Sequence, residues 1–261
     1  MAVVRRRSST AIWLDVIYAI FLREIKSRFN DRIGVSWAVI QPVSFIFILS
    51  FMRGRLDGGE THTMPTFVFI VYGMMCIQLF LTTLSAASGS IQKNKQLFAF
   101  RQVQPIASTI AIVGFEYLVK VAVAITIVIA MYFLDIDLKI HDPLRVLWYF
   151  TAVWLMAASI GLIFALTKCF IPEIDKVRNM LQRPLLFISG VFFSLQDIPK
   201  DTWKFFDWNP ILHAIELSRQ AAYPTFGAVG VSDLFLNLST LVLLFLSLSC
   251  YRLFWKQAIS R

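Results

Sequence analysis

The stretch LREIKSRFNDRIGVSWAVIQPV, residues 22–43, joins a basic, charge-dense segment to a long apolar one. Charged side chains are costly inside a bilayer, so this change indicates where water ends and a membrane begins. We expect Trp37 at headgroup level, because tryptophan is enriched at membrane interfaces. Gly34 would allow a sharp turn into the bilayer, and Pro42 would free a backbone carbonyl within the first span.

The composition excludes an ordinary soluble domain, since 57% of the residues are hydrophobic and only 16% are charged. A helix needs about 20 apolar residues to cross a bilayer, and six runs of suitable character occur. They are residues 35–52, 65–88, 106–134, 144–167, 180–195 and 234–251. The fifth run is short and carries Arg183 and Pro184 near its start. The sequence therefore predicts an all-α integral membrane protein with six transmembrane helices.

The net charge of +9 is explained by topology rather than by a nucleic-acid partner. When the six runs are threaded through a membrane, sixteen Lys and Arg fall on the side of the N-terminus and seven on the other. Lys120 and Arg183 lie within spans. Because cytoplasmic loops carry the excess of basic residues, both termini of this multi-pass protein are predicted in the cytoplasm.

Residues 12–29 repeat apolar pairs at helical spacing, with polar residues mostly elsewhere on the helical wheel. Such a helix, which ends with Arg23, Lys26, Arg28 and Phe29, would lie in the cytoplasmic interface. A soluble helix packed on a partner protein is the alternative. We therefore divide the chain into a tail with an interface helix, residues 1–33, and one transmembrane domain, residues 34–261.

Residues 196–232 are too rich in aromatic and aliphatic side chains for a free loop. We expect them to re-enter the outer leaflet as short helices, because exposed irregular backbone is not tolerated in lipid. Asn209 as a cap and Pro210 in the first turn would begin one such helix. His213 and Glu216 share one face of it, and Arg219 lies close by.

No catalytic or metal site is expected, since the three cysteines and three histidines are dispersed and lack metal-ligand spacing. No cleavable signal peptide is expected either, because the three arginines at positions 5–7 precede a mixed polar segment. The sequence also contains no GxxxxGK[ST] phosphate loop, so ATP use through that fold would require another chain.

Two blocks of the sequence resemble one protein family. The first block, residues 22–42, resembles the start of type-2 ABC exporter permeases that move polysaccharides. The second block comprises SGVFF at 189–193, Pro199 and WNPILHAIELSR at 208–219. It resembles the last extracytoplasmic region of that family and is most similar to the capsular polysaccharide export permease of Gram-negative bacteria. The resemblance covers essentially the whole chain.

This resemblance implies half of a homodimeric pore, driven by two separate ATPase subunits that bind ATP and Mg. No cofactor would be bound by this chain. The segment at about 92–104 would form a coupling helix that docks on the ATPase, with Leu97, Phe98 and Arg101 as candidate contacts. The re-entrant helices would form an outer gate, and a periplasmic adaptor and an outer-membrane exporter are expected as further partners.

Charged and aromatic residues within the spans are candidates for the translocation path. Glu116 and Lys120 are one helical turn apart, so they either pair and lock the bundle or contact substrate. Arg183 would partner Glu116 or face the path. Other residues proposed for the path or gate are Phe192, Phe193, Trp208, Asn209, His213, Glu216 and Arg219, because sugar rings pack on aromatic faces and need hydrogen-bonding groups.

The predicted function is therefore the permease subunit of an ATP-driven exporter for a lipid-linked capsular polysaccharide, and not an enzyme. An O-antigen or teichoic-acid exporter is the main alternative. A small-molecule exporter or a membrane-embedded enzyme is less favoured, because no converging acid, base or nucleophile is seen. The composition of the polymer and its lipid anchor are not readable from the sequence.

Overall fold

The computed structural model describes residues 8–29, 32–56, 59–100, 102–136 and 138–260, with the backbone alone for 29, 32–36 and 260. Within these ranges the chain is almost entirely helical. The helices are α1 Ser9–Phe29, α2 Arg32–Leu56, α3 Thr66–Lys93, α4 Pro105–Phe133, α5 Pro143–Phe170, α6 Ile174–Ile188, α7 Pro210–Ala222 and α8 Asp233–Ser260. A small antiparallel hairpin of β1 (Glu60–Thr61) and β2 (Met64–Pro65) precedes α3.

The helix starts follow from local chemistry. Proline occupies the first turn of α4, α5 and α7, where its missing N–H is no loss and its fixed φ suits the helix. Asp142 caps α5 by accepting the backbone N–H of Arg145, and Asn209 caps α7 by accepting that of Ile211. The cap at Asn209 and the helix start at Pro210 confirm the sequence prediction.

Helix α3 is the core of the bundle. Of its most apolar stretch 78% is buried, compared with 11% for α2 and 17% for α8. It packs along α2, α4 and α5. At the contact with α5 the backbones approach so closely that a Cβ added to Gly161 would lie 2.4 Å from that of Ala87. Only glycine fits there, so this contact sets the spacing of the two helices.

Five helices of the described residues are long and apolar enough to cross a membrane, and they match five of the six predicted runs. The exception is the predicted span 180–195. Its place is taken by α6, which has 15 residues, starts at Ile174 and ends at Ile188. Gly190 just beyond it has φ of +70°, a left-handed conformation that ends the helical path.

Two further local predictions are wrong in position or extent. The turn expected at Gly34 does not occur there, because α2 already begins at Arg32, and this helix continues through Pro42. The coupling helix expected at 92–104 is reduced to a 3-10 helix, Lys95–Ala99. Asn94 ends α3 just before it by turning its side-chain amide to the Ser90 carbonyl, 2.8 Å away. Arg101 lies outside the described residues.

The segment after α6 folds back on the bundle. It contains three 3-10 helices, Leu195–Asp197, Lys200–Phe205 and Pro224–Phe226, around α7. Helix α7 packs on α3, α5 and α8. We call this end of the bundle, where α3 begins, the α7 end. The opposite end, where α3 ends against α1, is the α1 end.

Candidate functional site

A charged network joins three helices at the α1 end. Glu24 of α1 is only 1% exposed, and its two carboxylate oxygens accept hydrogen bonds from Lys93 Nζ at 2.6 and 2.8 Å. Arg28 donates through Nε to Glu24 at 3.3 Å and through Nη2 to Glu116 of α4 at 2.5 Å. A buried carboxylate requires such partners. We call Glu24, Arg28, Lys93 and Glu116 the α1 clamp.

Neighbouring contacts fix the clamp to the end of α3. Arg23 donates a hydrogen bond to the side-chain oxygen of Asn94, the residue that ends α3. The guanidinium of Arg28 lies 5.1 Å from the centre of the Phe115 ring, a cation–π contact with α4. Below these groups, Ile20 packs against Ala107 and Ala111 of α4. Helix α1 is therefore held by charge and by apolar packing.

The clamp replaces the predicted pair of Glu116 and Lys120. The Glu116 carboxylate is bound by Arg28, whereas Lys120 donates to Gln78 Oε1 at 3.4 Å. Arg183, the other predicted partner of Glu116, is exposed on α6 and has no ion pair in the part of the chain that the structure describes. Lys26 is exposed as well.

The predicted coupling residues face inward. Leu97 packs on the apolar cluster between α1 and α4, and Phe98 packs on a second cluster formed with α5 and α8. Phe100, which the sequence analysis did not single out, is 65% exposed directly after the 3-10 helix. This segment therefore presents Phe100 outward, while Leu97 and Phe98 tie it to the bundle.

A second network is fully buried at the α7 end. Arg219 is 0% exposed, and all five of its N–H donors are used. Nε and Nη2 donate to the Phe69 carbonyl at 3.2 and 3.1 Å. The other bonds run from Nη1 to the Gly190 carbonyl (2.9 Å) and Glu216 Oε1 (3.0 Å), and from Nη2 to the Val191 carbonyl (2.9 Å).

The Arg219 side chain is also closely packed by its neighbours. The guanidinium carbon lies 3.4 Å from the centre of the Phe69 ring. A Cβ added to Gly73 would come within 2.8 Å of Arg219 Nη2 and 3.0 Å of Val191 Cα. Because Gly73 has no side chain, it leaves the space on α3 that the Arg219 guanidinium occupies.

Glu216 extends this network toward the hairpin. Its second oxygen accepts from Ser194 Oγ at 2.8 Å, and the backbone N–H of Ser194 donates to Asp197 at 2.8 Å. Asp197 also meets His62 Nε2 at 2.7 Å. Burial raises the pKa of Glu216 and lowers that of Arg219 to about 10, while the charge of each acts against the shift of the other. Arg219 therefore stays protonated at neutral pH. We call Arg219, Glu216 and Ser194, with the three carbonyls, the α7 anchor.

The remaining residues predicted for the gate surround the anchor. His213 makes a 2.8 Å hydrogen bond from Nε2 to the Asp207 carbonyl, and its Nδ1 accepts the Ser232 N–H at 2.9 Å. This pattern suits the neutral ring, and burial lowers its pKa accordingly. Asn209 is buried and donates to Ser189 Oγ at 3.1 Å.

The three aromatic candidates for the path differ in exposure. Phe192 and Phe193 are half-buried, and their rings contact those of Phe187 and Phe206. Trp208 is 58% exposed, and its indole N–H donates to the Phe205 carbonyl at 2.8 Å. Of these three side chains, only that of Trp208 is mostly exposed.

Sequence reasoning missed Glu24, Lys93 and Ser194 as functional candidates. A signal existed for Glu24, because it lies four residues before Arg28 on the same helix face. The pairing of Glu24 with Lys93 joins positions far apart in the chain, and no local spacing predicts it.

The described residues thus form a bundle of long apolar helices with an additional charged helix at one end. A family model described as ABC-2 type transporter matches residues 15–223. The chain belongs to this family, whose members are permease subunits of transporters rather than enzymes.

Relatives match over nearly their whole lengths. The chain is 35% identical over 250 residues to the polysialic acid transport protein KpsM of Escherichia coli, covering 94% of this chain and 96% of the relative. It is 26% identical over 249 residues to the capsule polysaccharide export inner-membrane protein BexB of Haemophilus influenzae, covering 91% and 92%. Identity to CtrC of Neisseria meningitidis, which has the same description as BexB, is 24% over 258 residues, covering 95% and 94%.

Proposed function

We propose that this chain is the permease subunit of an ATP-driven exporter that moves a lipid-linked capsular polysaccharide across the bacterial inner membrane. The observation that carries the proposal is the end-to-end similarity, at 35% identity, to a transport protein for polysialic acid. The permeases of capsule polysaccharide export add support over the same length. The working unit is a homodimer with two ATPase subunits, which bind ATP and Mg, and a periplasmic adaptor and outer-membrane exporter complete the route.

We further propose six membrane crossings with both termini in the cytoplasm. Near the start of α6, Arg178 donates to the Ser85 carbonyl and to Ser88, close to the α1 end of α3. Just after α6, the Gly190 carbonyl accepts a hydrogen bond from Arg219. The same arginine donates to the Phe69 carbonyl at the other end of α3. Phe69 and Ser88 are about 28 Å apart along α3 at 1.5 Å per residue. Helix α6 itself is about 22 Å long, and with the reach of the Arg178 and Arg219 side chains its contacts extend over nearly the depth of a bilayer core of ~30 Å, which supports a sixth crossing.

In this orientation the α1 end is cytoplasmic and carries the contact with the ATPase. Phe100 and the 3-10 helix Lys95–Ala99 form that contact, because Phe100 is the large apolar side chain that this segment exposes. Movement of the segment passes to Lys93, from Lys93 to Glu24 of α1, and through Arg28 to Glu116 of α4. The α1 clamp thus connects the ATPase to the helices of the path, and α1 lies in the cytoplasmic interface.

The experiment that tests this function is gene deletion in the encapsulated host, followed by complementation. We expect loss of surface polysaccharide and accumulation of polymer in the cytoplasm, with both reversed by the wild-type gene. Surface polysaccharide that stays intact after deletion would contradict the proposal. Chemical analysis of the trapped polymer then separates capsule from O-antigen and teichoic acid.

A further inference from the structure

A cleft remains between α4 and α5. Both helices pack along α3, but they contact each other far less, and the space between them has a volume of about 310 Å³. Apolar and aromatic side chains of the three helices form most of its wall. They include Tyr72, Met75, Ala124, Met131, Val146 and Phe150. This volume is at the lower end of the range for small-molecule sites.

The length of the cleft lies within the thickness of a bilayer core. Its wall on α4 runs from Tyr117 to Met131, about 21 Å at 1.5 Å per residue, and a hydrocarbon core is ~30 Å thick. Tyr117 lines the inner end, and Lys120, about one turn further along α4, turns its ammonium to Gln78. The other end opens at Leu138 and Ile140, at the α7 end.

The cleft is also open at its side. Ile125 and Val128 on α4 and Leu147 on α5 line it and are about half exposed, so its interior communicates with whatever surrounds the bundle. An apolar cleft of this kind is not filled by water. The medium that surrounds a multi-span protein at this depth consists of acyl chains.

The mouth of the cleft carries both signs of charge. Lys139 is exposed beside the lining residues, with no ion pair to any described residue, and its backbone N–H donates to Tyr223 at 3.0 Å. Arg145 and Asp142 form an exposed pair at 3.2 Å, which is weak enough to exchange partners. Asp135 is exposed at the end of α4. A phosphate would meet the two basic groups, and an ammonium would meet the carboxylates.

We propose that this cleft binds one acyl chain of a phospholipid from the surrounding leaflet, with a zwitterionic headgroup of the phosphatidylethanolamine type at its mouth. The chain fills the gap along α4, the helix that carries Glu116. The phosphate contacts Lys139 and Arg145, and the ammonium contacts Asp142.

Photolabelling tests the acyl-chain site. The purified full-length permease is placed in lipid nanodiscs with a phosphatidylethanolamine that carries a diazirine in its acyl chain, and labelled peptides are mapped by mass spectrometry. We expect the label on the cleft walls of α4 and α5. Ala124→Trp fills the cleft and should lower this label severalfold. Ala122→Trp is the matched control, because Ala122 is exposed on the same helix and does not line the cleft.

Equal labelling of the two tryptophan variants would overturn the proposal, as would label spread evenly over all lipid-facing helices. Crosslinks from the cleft walls to a second copy of the chain would show that protein covers it instead. The headgroup contact is tested with the substitutions Lys139→Gln and Arg145→Gln. Both residues are exposed, so these changes should not affect folding. The photolabel on the cleft walls should fall roughly fivefold for each charge removed. Equal labelling by phosphatidylglycerol and phosphatidylethanolamine probes would contradict the zwitterionic headgroup.

Discussion

The two polar networks differ in how firmly they are held. In the α7 anchor, Arg219 and Glu216 are both completely buried, and most of the arginine's partners are backbone carbonyls with fixed positions. In the α1 clamp, the side chains of Arg28 and Lys93 are 39% and 50% exposed, and their acceptors are the side-chain carboxylates of Glu24 and Glu116. A charge network with partial water access can change partners at low cost, whereas a buried one cannot. We infer that the anchor holds the fold and that the clamp moves.

The largest loss of stability is expected when the anchor loses its arginine. Arg219→Leu leaves the Glu216 carboxylate and three carbonyls buried without their partner, which should cost about 3–5 kcal/mol. The midpoint of thermal unfolding of the purified permease measures this. Arg183→Leu is the control, and a change of no more than about 0.5 kcal/mol is expected for this exposed residue. Similar losses of stability for both variants would contradict the inference that the α7 anchor holds the fold.

A smaller loss is expected from crowding the anchor. Gly73→Ala places a methyl group 2.8 Å from Arg219 and against the backbone of Val191, and overpacking of this kind costs about 1–3 kcal/mol. Gly89→Ala on the same helix meets open space and should instead stabilise the helix by up to about 1 kcal/mol. Thermal unfolding of the pair gives the sign of each change. An unchanged unfolding midpoint for Gly73→Ala would contradict the close packing of Gly73 against Arg219.

A still smaller effect is expected from His213 in acid. Burial lowers its pKa in the folded state, so the unfolded chain binds the proton more readily. The contribution of His213 is therefore fully present above its ordinary pKa of about 6.5 and is lost as the pH falls through the lower, folded value. His213→Gln should flatten the dependence of the unfolding midpoint on pH below about 6.5. An unchanged dependence would exclude His213 as its source.

Phe100→Asp should leave the stability of the isolated permease nearly unchanged, because the ring is exposed. Under our proposal it should abolish association with the ATPase and therefore export. Leu97→Asp, in contrast, buries a charge between α1 and α4 and should lower stability as well. Co-purification of the ATPase and unfolding of each variant separate the two effects. Retained association in Phe100→Asp would place the contact elsewhere.

The long helices were predictable because each is an apolar run bounded by charges, and α4, α5 and α7 have a proline in the first turn. Short elements were less predictable. The register of α6 and the shortened coupling segment depend on Gly190 and Asn94, which accept hydrogen bonds from Arg219 and Arg23, residues far away in the chain.

The site was predicted in part. Arg28 was predicted as part of a basic interface helix, and Glu116, Glu216 and Arg219 as candidates for the path or gate, but their partners were not predicted. Arg28 meets Glu116 across 88 positions of the chain, and the anchor uses backbone carbonyls that have no sequence signal. Periodicity reports which face of a helix is apolar, and it carries no information on which distant side chain that face meets.

The central claim is that the α1 clamp couples ATP hydrolysis to export, and a double-mutant cycle tests it most directly. In the reconstituted permease with its ATPase, polysaccharide exported per ATP hydrolysed is measured for Arg28→Gln, Glu116→Gln and the double variant, with the exposed Lys26→Gln as control. We predict that each single change lowers this ratio about tenfold. The double variant should be no worse than Arg28→Gln alone, because the pair acts as a unit. An unchanged ratio in the single variants, or losses that multiply in the double variant, would contradict the account.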